Sequence, residues 1–232
     1  MILGKIDKMT LVRRHLLVAA LSGGLFFIFW QSRPEWSADM RLWRTFGDTA
    51  FVLLAAALAI GPLAKLRLEL HSLLPWRREI GIWFALTALT HALLILNGWA
   101  RWNVLRFLGY EFIPQLGYMA RMEPGFGLAN LMGLTAVLMA LALMATSSDR
   151  AVNWLGMSSW KWLHSGAYTI FWLVTLHTAY FLFLHYTASF HKQPPDPNWF
   201  RFPALVISLS VVGLQAAAFI KTVRQQKHVD AY

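Results

Sequence analysis

The chain has 232 residues, no cysteine, and a formal net charge of +10 from 21 Lys and Arg against 11 Asp and Glu. It is 57% hydrophobic and only 14% charged, with the apolar residues in long blocks, which excludes an ordinary soluble domain and indicates a helical bundle in a membrane. Without cysteine there are no disulfides, thiolate ligands, iron–sulfur clusters or cysteine nucleophiles, so any metal must be held by His, Met, Tyr or carboxylate.

Six membrane spans are predicted in one domain covering 1–232. They lie at roughly Leu16–Gln31, Phe46–Leu66, Ile80–Asn97, Phe126–Thr146, Trp162–His185 and Pro203–Thr222, each near the ~20 residues that cross the hydrocarbon. The basic start, MILGKIDKMTLVRRH, looks like a signal-peptide n-region. No small-residue cleavage site follows before Trp30, so it reads as a retained first helix beginning near Thr10.

Basic residues set the orientation. The ends and loops on the N-terminal side hold Lys5, Lys8, Arg13, Arg14, Lys65, Arg67, Arg77, Arg78, Arg150, Lys161, Lys221, Arg224 and Lys227, which is 13 of the 21. The positive-inside rule then places both termini in the cytoplasm. Such clustering between apolar runs speaks for membrane topology and against nucleic acid. The loop from Gly98 to Gly125 is the longest on the outer side and mixes aromatic residues with Arg and Glu. It reads either as an amphipathic segment at the interface or as an aromatic belt. The Pro-rich FHKQPPDPNWFRFP breaks helix before the last span.

Imidazoles do not belong in an apolar span unless they have work to do. His91 in the third span and His177 in the fifth fall at matched depth on parallel spans, in the outer half of the bilayer. Two imidazoles facing each other across a bundle are the axial ligands of a b-type haem, and without cysteine the haem is non-covalent. His164 lies 13 residues before His177, about 20 Å along a helix and near the cytoplasmic surface. Thirteen residues before His91 stands Arg78. At this inner level a second haem on His164, a propionate held by Arg77 or Arg78, and a structural histidine remain open. His185 and His191 sit at the outer boundary, where a packing or solvated role is favoured. His15, His71 and His228 carry no assigned role.

The stretches FGDTAFVLLAAALAIGPLAKL, RREIGIWFALTALTH and TSSDRAVNWLGMSSWKWLHSGAYTIFWLVTLH resemble the ferric reductase-like transmembrane family. In particular they resemble its haem-binding membrane subunits of bacterial periplasmic methionine sulfoxide reductase systems. The resemblance covers about Arg44 to Tyr186. It implies a six-helix b-type cytochrome, with His91, His164 and His177 as the matching haem-ligand candidates. The implied function is relay of electrons from quinol or a cytosolic flavin reductase to a periplasmic redox partner, with FMN or quinone as further cofactors. Relatives in the wider family carry His near Arg78 and append flavin and nicotinamide domains. No dinucleotide fingerprint is present, since GFGLAN at Gly125 ends in Asn130. The alternative is a non-catalytic structural or assembly subunit of a larger membrane complex. A proton-relay transporter is disfavoured because Asp48 is the one carboxylate read inside the spans.

Overall fold

The computed structural model describes residues 8–121, 123–185 and 198–229. Among these, six helices are long and apolar enough to cross a membrane: Met9–Gln31, Ala38–Leu66, Trp76–Trp99, Phe126–Ala145, Met157–Leu184 and Arg201–Gln226. The Pro-rich stretch is described only from Asn198 to Pro203, and His191 lies outside the described residues. The described residues form two compact units, one of those up to 87 and from 209 onward and the other of those between 88 and 208.

In the first unit, helix α1 (Lys8–Gln31) starts eight residues before the apolar run, because its basic first turns continue the same helix. The chain then turns into α2 (Ala38–Leu66), where Ser37 accepts the Met40 N–H and Asp39 sits in the first turn, facing the positive end of the helix. Arg41 reaches back to donate to the Trp30 carbonyl at 2.7 Å, satisfying the exposed end of α1. In the turn, Arg33 is 1% exposed and pairs with Asp48 of α2 at 2.5 Å, with its guanidinium over the Trp36 ring. Two charges that deep persist only because each satisfies the other.

Pro62 lies inside α2 and cannot donate to the helix ladder. The C-terminal carbonyls of α2 are met by Lys221, whose Nζ donates to Lys65 at 2.8 Å and Leu66 at 3.1 Å. A 3-10 turn (Leu68–Leu73) leads into α3 (Trp76–Leu94), which begins directly after Pro75. The third span therefore starts four residues before Ile80 and takes in Glu79. That side chain is 1% exposed, and neither carboxylate oxygen is hydrogen-bonded among the described residues. Asp48 is thus joined by a second buried carboxylate within the spans.

In the second unit, the end of α3 passes into a π turn (Ile95–Trp99). The loop that follows is more ordered than its composition suggests. A short helix, α4 (Val104–Phe107), precedes a two-stranded antiparallel hairpin of β1 (Tyr110–Ile113) and β2 (Tyr118–Arg121), with Ile113 opposite Tyr118. Four-residue strands are too short to announce themselves by alternation, but Pro114 and Gly117 close the turn, with Gly117 at φ +71°. Helix α5 (Phe126–Ala145) comes next. It is followed by α6 (Asp149–Leu155), capped by Ser148, then α7 (Met157–Ser165) and α8 (Ala167–Ala179). A second π turn (Tyr180–Leu184) ends α8. Helix α9 (Arg201–Val229) is the last described element, and from residue 209 onward it belongs to the first unit.

The α5–α8 pair is built on small residues. Gly125, Ala129, Gly133, Ala136 and Ala140 recur at three- and four-residue spacing along α5, and Ala129, Ala136 and Ala140 are buried. Small residues let helix backbones approach where lipid offers no hydrophobic driving force between them. The GFGLAN run is part of this packing. A Cβ on Gly127 would lie 2.6 Å from the Leu108 carbonyl oxygen, and the buried Asn130 donates to the Phe107 carbonyl at 2.7 Å.

Candidate functional site

His91 and His177 meet within the second unit. Their ring centroids lie 6.4 Å apart, with the planes at 79°. A metal–imidazole nitrogen bond is about 2 Å and the ring centre sits roughly 1 Å further out, so two imidazoles on opposite sides of one metal have centroids about 6 Å apart. The spacing of this pair is one at which both imidazoles could hold a single iron.

Helix α5 prepares one of the two rings. His177 Nδ1 lies 2.8 Å from the Ala129 carbonyl oxygen. A carbonyl only accepts, so Nδ1 carries the proton and the lone pair sits on Nε2, the nitrogen that would bind a metal. Metal-binding histidines commonly anchor their second nitrogen in this way, which fixes the tautomer and strengthens the ligand. One turn further along α5, Gly133 makes the room. A Cβ there would stand 2.8 Å from His177 Nδ1 and 2.9 Å from Cε1. On the other side Phe181 packs on the His177 ring at 4.9 Å. The residues present therefore fit a haem: two imidazoles at a spacing one iron could bridge, one with its tautomer set, beside a notch that only glycine leaves open.

His164 stands elsewhere. It precedes His177 by 13 residues, about 20 Å of helical rise, and takes no part in the pair. Its Nε2 lies 3.2 Å from Thr146 Oγ1, and its ring stacks on Trp160 at 4.1 Å. Thr146 gives its own hydroxyl proton to Ala142 at 2.9 Å, which leaves its oxygen as acceptor for His164. Trp160 Nε1 donates to the Thr146 carbonyl at 3.0 Å. This group closes the C-terminal end of α5.

Arg77 and Arg78 belong to the first unit. Arg77 Nε donates to the Ala57 carbonyl at 3.2 Å, and its Nη1 lies 3.3 Å from where a Cβ on Gly61 would be. Arg78 is half-buried beside Glu79. Among the described residues no three His, Asp or Glu side chains gather as a metal cage.

The ring contacts continue past His177. Phe181 lies 5.5 Å from His185, and Phe126 stands 5.3 Å from Phe181 and 4.7 Å from Trp99. Glu123, 7% exposed, accepts from Tyr180 Oη at 2.6 Å and from His185 Nδ1 at 2.9 Å. Neither Gly133 nor the Glu123 cluster follows from reading histidines alone. The small-residue stripe on α5 was the available sequence signal for Gly133.

Residues 46–175, more than half of the chain, match the family described as ferric reductase like transmembrane component. The match contains Arg77, Arg78, His91 and His164 and stops two residues before His177. The magnetosome protein MamZ of Magnetospirillum gryphiswaldense is 31% identical over 137 residues, which is 58% of this chain and 18% of MamZ. MamZ of Paramagnetospirillum magneticum is likewise 31% identical over 137 residues, 58% of this chain and 19% of its own length. The matched stretch is thus less than a fifth of either curated relative.

Proposed function

The chain belongs to the ferric reductase-like transmembrane family, and from that premise we propose that it is a b-type haem subunit relaying electrons across a bacterial inner membrane. The observation that carries this reading is the His91–His177 pair at 6.4 Å, with the His177 tautomer set by Ala129. When bound, the haem supplies one-electron chemistry that no side chain of this protein provides.

The protein's own part is placement. His91 and His177 would hold the iron. The Ala129 carbonyl keeps the proton on Nδ1 of His177. Gly133 admits the ring against α5, and Phe181 backs it. In this reading one haem is bound per chain, and His164 serves the α5 end through Thr146. Arg77 and Arg78 are the cations available to propionates or to an anionic donor.

With both termini in the cytoplasm, the His91–His177 level lies toward the periplasm and the basic loops face the cytoplasm. The donor is then membrane quinol or a cytosolic flavoprotein, with FMN or quinone as the carrier. The acceptor is a periplasmic redox protein, of which a methionine sulfoxide reductase is the first candidate by resemblance. Ferric iron is the second. Reconstitution in vesicles tests the relay. A quinol or reduced flavin donor on one side should reduce the haem, and an acceptor on the other should reoxidise it. A haem that is reduced and never reoxidised by any acceptor would instead make the protein a structural subunit.

A further inference from the structure

The π turn that ends α8 has a consequence for side-chain direction. In an α-helix, residues five apart point about 140° away from each other. In a π turn the i-to-i+5 hydrogen bond brings such residues onto one face. The His185 N–H donates to the Tyr180 carbonyl at 2.9 Å, and both side chains fall on Glu123. Glu123 arrives from the segment just before α5, where Gly125 adopts φ +84° and a Cβ would lie 2.8 Å from the Tyr180 ring. The Tyr180 hydroxyl also lies 2.9 Å from the Pro124 carbonyl. A buried carboxylate is thus built onto the end of the helix that carries His177.

The two oxygens of Glu123 lie 2.9 Å from His185 Nδ1, which fixes a proton on that nitrogen. A second proton, if gained, goes to Nε2, and the carboxylate stabilises the imidazolium that results. His185 follows His177 by eight residues, about 12 Å of rise, with Phe181 between the rings. One unit charge at that distance, in the effective dielectric of a protein, changes proton affinity about tenfold. The neighbouring charges are fixed. Arg121 stands two residues before Glu123. Arg106 lies over Trp99, which packs on Phe126, and Arg201 lies over Phe183. Tyr180 donates to Glu123 and is the other titratable group facing it.

We propose that the His185–Glu123 pair is a redox-linked proton site. Its proton occupancy rises, from the water at that end of the helix, when an electron reaches the centre that His91 and His177 would hold, and falls again when the electron passes to the acceptor. With a tenfold change in affinity, at most about half a proton is gained and lost per electron, so the added charge is partly offset. The inference rests on the haem reading above.

The test is the midpoint potential of the haem in the purified full chain, followed between about pH 5 and 8, where an imidazole changes charge. The wild-type potential should fall as pH rises. Glu123→Gln and His185→Asn should flatten that slope, and Tyr180→Phe should keep it. A flat wild-type profile, or an unchanged slope in both Glu123→Gln and His185→Asn, overturns the proposal, because haem propionates then account for any pH dependence. The low-spin spectrum of each variant reports whether its haem site is intact. Loss of haem from both variants would make the cluster a structural clamp and also overturn it. A wild-type chain with no haem at all would instead remove the haem reading itself.

Discussion

Replacing Gly133 with Ala adds one methyl group where the structure leaves no space. The new Cβ would stand 2.8 Å from His177 Nδ1, 2.9 Å from Cε1 and 3.4 Å from Cγ, where ordinary contact begins at 3.4 Å. The imidazole must therefore withdraw by about 0.6 Å at Nδ1, enough to take a 2.8 Å hydrogen bond out of its normal range. That bond contributes about 0.5–1.5 kcal/mol to stability, and loss of such a partner typically lowers metal affinity 10–100-fold. Helix propensity works in the opposite direction, since Ala is favoured over Gly by about 1 kcal/mol in a helix interior. The sign of the result thus separates the site from the helix. Haem titrated into the apoprotein and followed by the Soret band should bind Gly133→Ala 10–100-fold more weakly. Gly213→Ala, where a Cβ meets nothing within 4 Å, should bind normally. Equal affinity of Gly133→Ala and wild type would refute the reasoning that this glycine makes room for His177.

Arg33→Ala leaves Asp48 buried without its cation and should cost about 3–5 kcal/mol, read as a lower unfolding midpoint in detergent. Thr146→Val removes the acceptor for His164 Nε2 and should loosen the α5 end without changing the haem-to-protein ratio; a lowered ratio would give His164 a haem of its own. Reporter fusions after Tyr232 should be active only in the cytoplasm, and a reporter in the 114–117 turn only in the periplasm; the reverse pattern would invert the orientation.

The six spans were legible because a run of ~20 apolar residues has few alternatives in a membrane protein. Their ends were less so. Lys8–His15 is basic yet helical, and hydropathy fades at the RRE sequence, which leaves Glu79 outside the predicted span although the helix starts at Trp76. Depth along the spans paired His91 with His177, and the structure brings those two rings together. What prepares the pair was hidden. A carbonyl such as that of Ala129 has no sequence signature, and hydropathy does not register the space that Gly133 provides. The π turns depend on a choice between i+4 and i+5 hydrogen bonds that composition does not encode, so Tyr180 and His185 could not be seen to converge on Glu123. The long loop reads in sequence as an amphipathic interfacial segment or an aromatic belt, and its hairpin is hidden because the strands have four residues each.

The central claim is that His91 and His177 are the two axial ligands of one b-type haem. The most direct measurement is the reduced-minus-oxidised spectrum of the purified chain, with haem quantified against protein, for wild type and for His91→Ala, His177→Ala and His164→Ala. One haem per chain is expected, with a low-spin bis-imidazole spectrum that is lost in the first two variants and kept in the third. A low-spin spectrum retained by both His91→Ala and His177→Ala would contradict it.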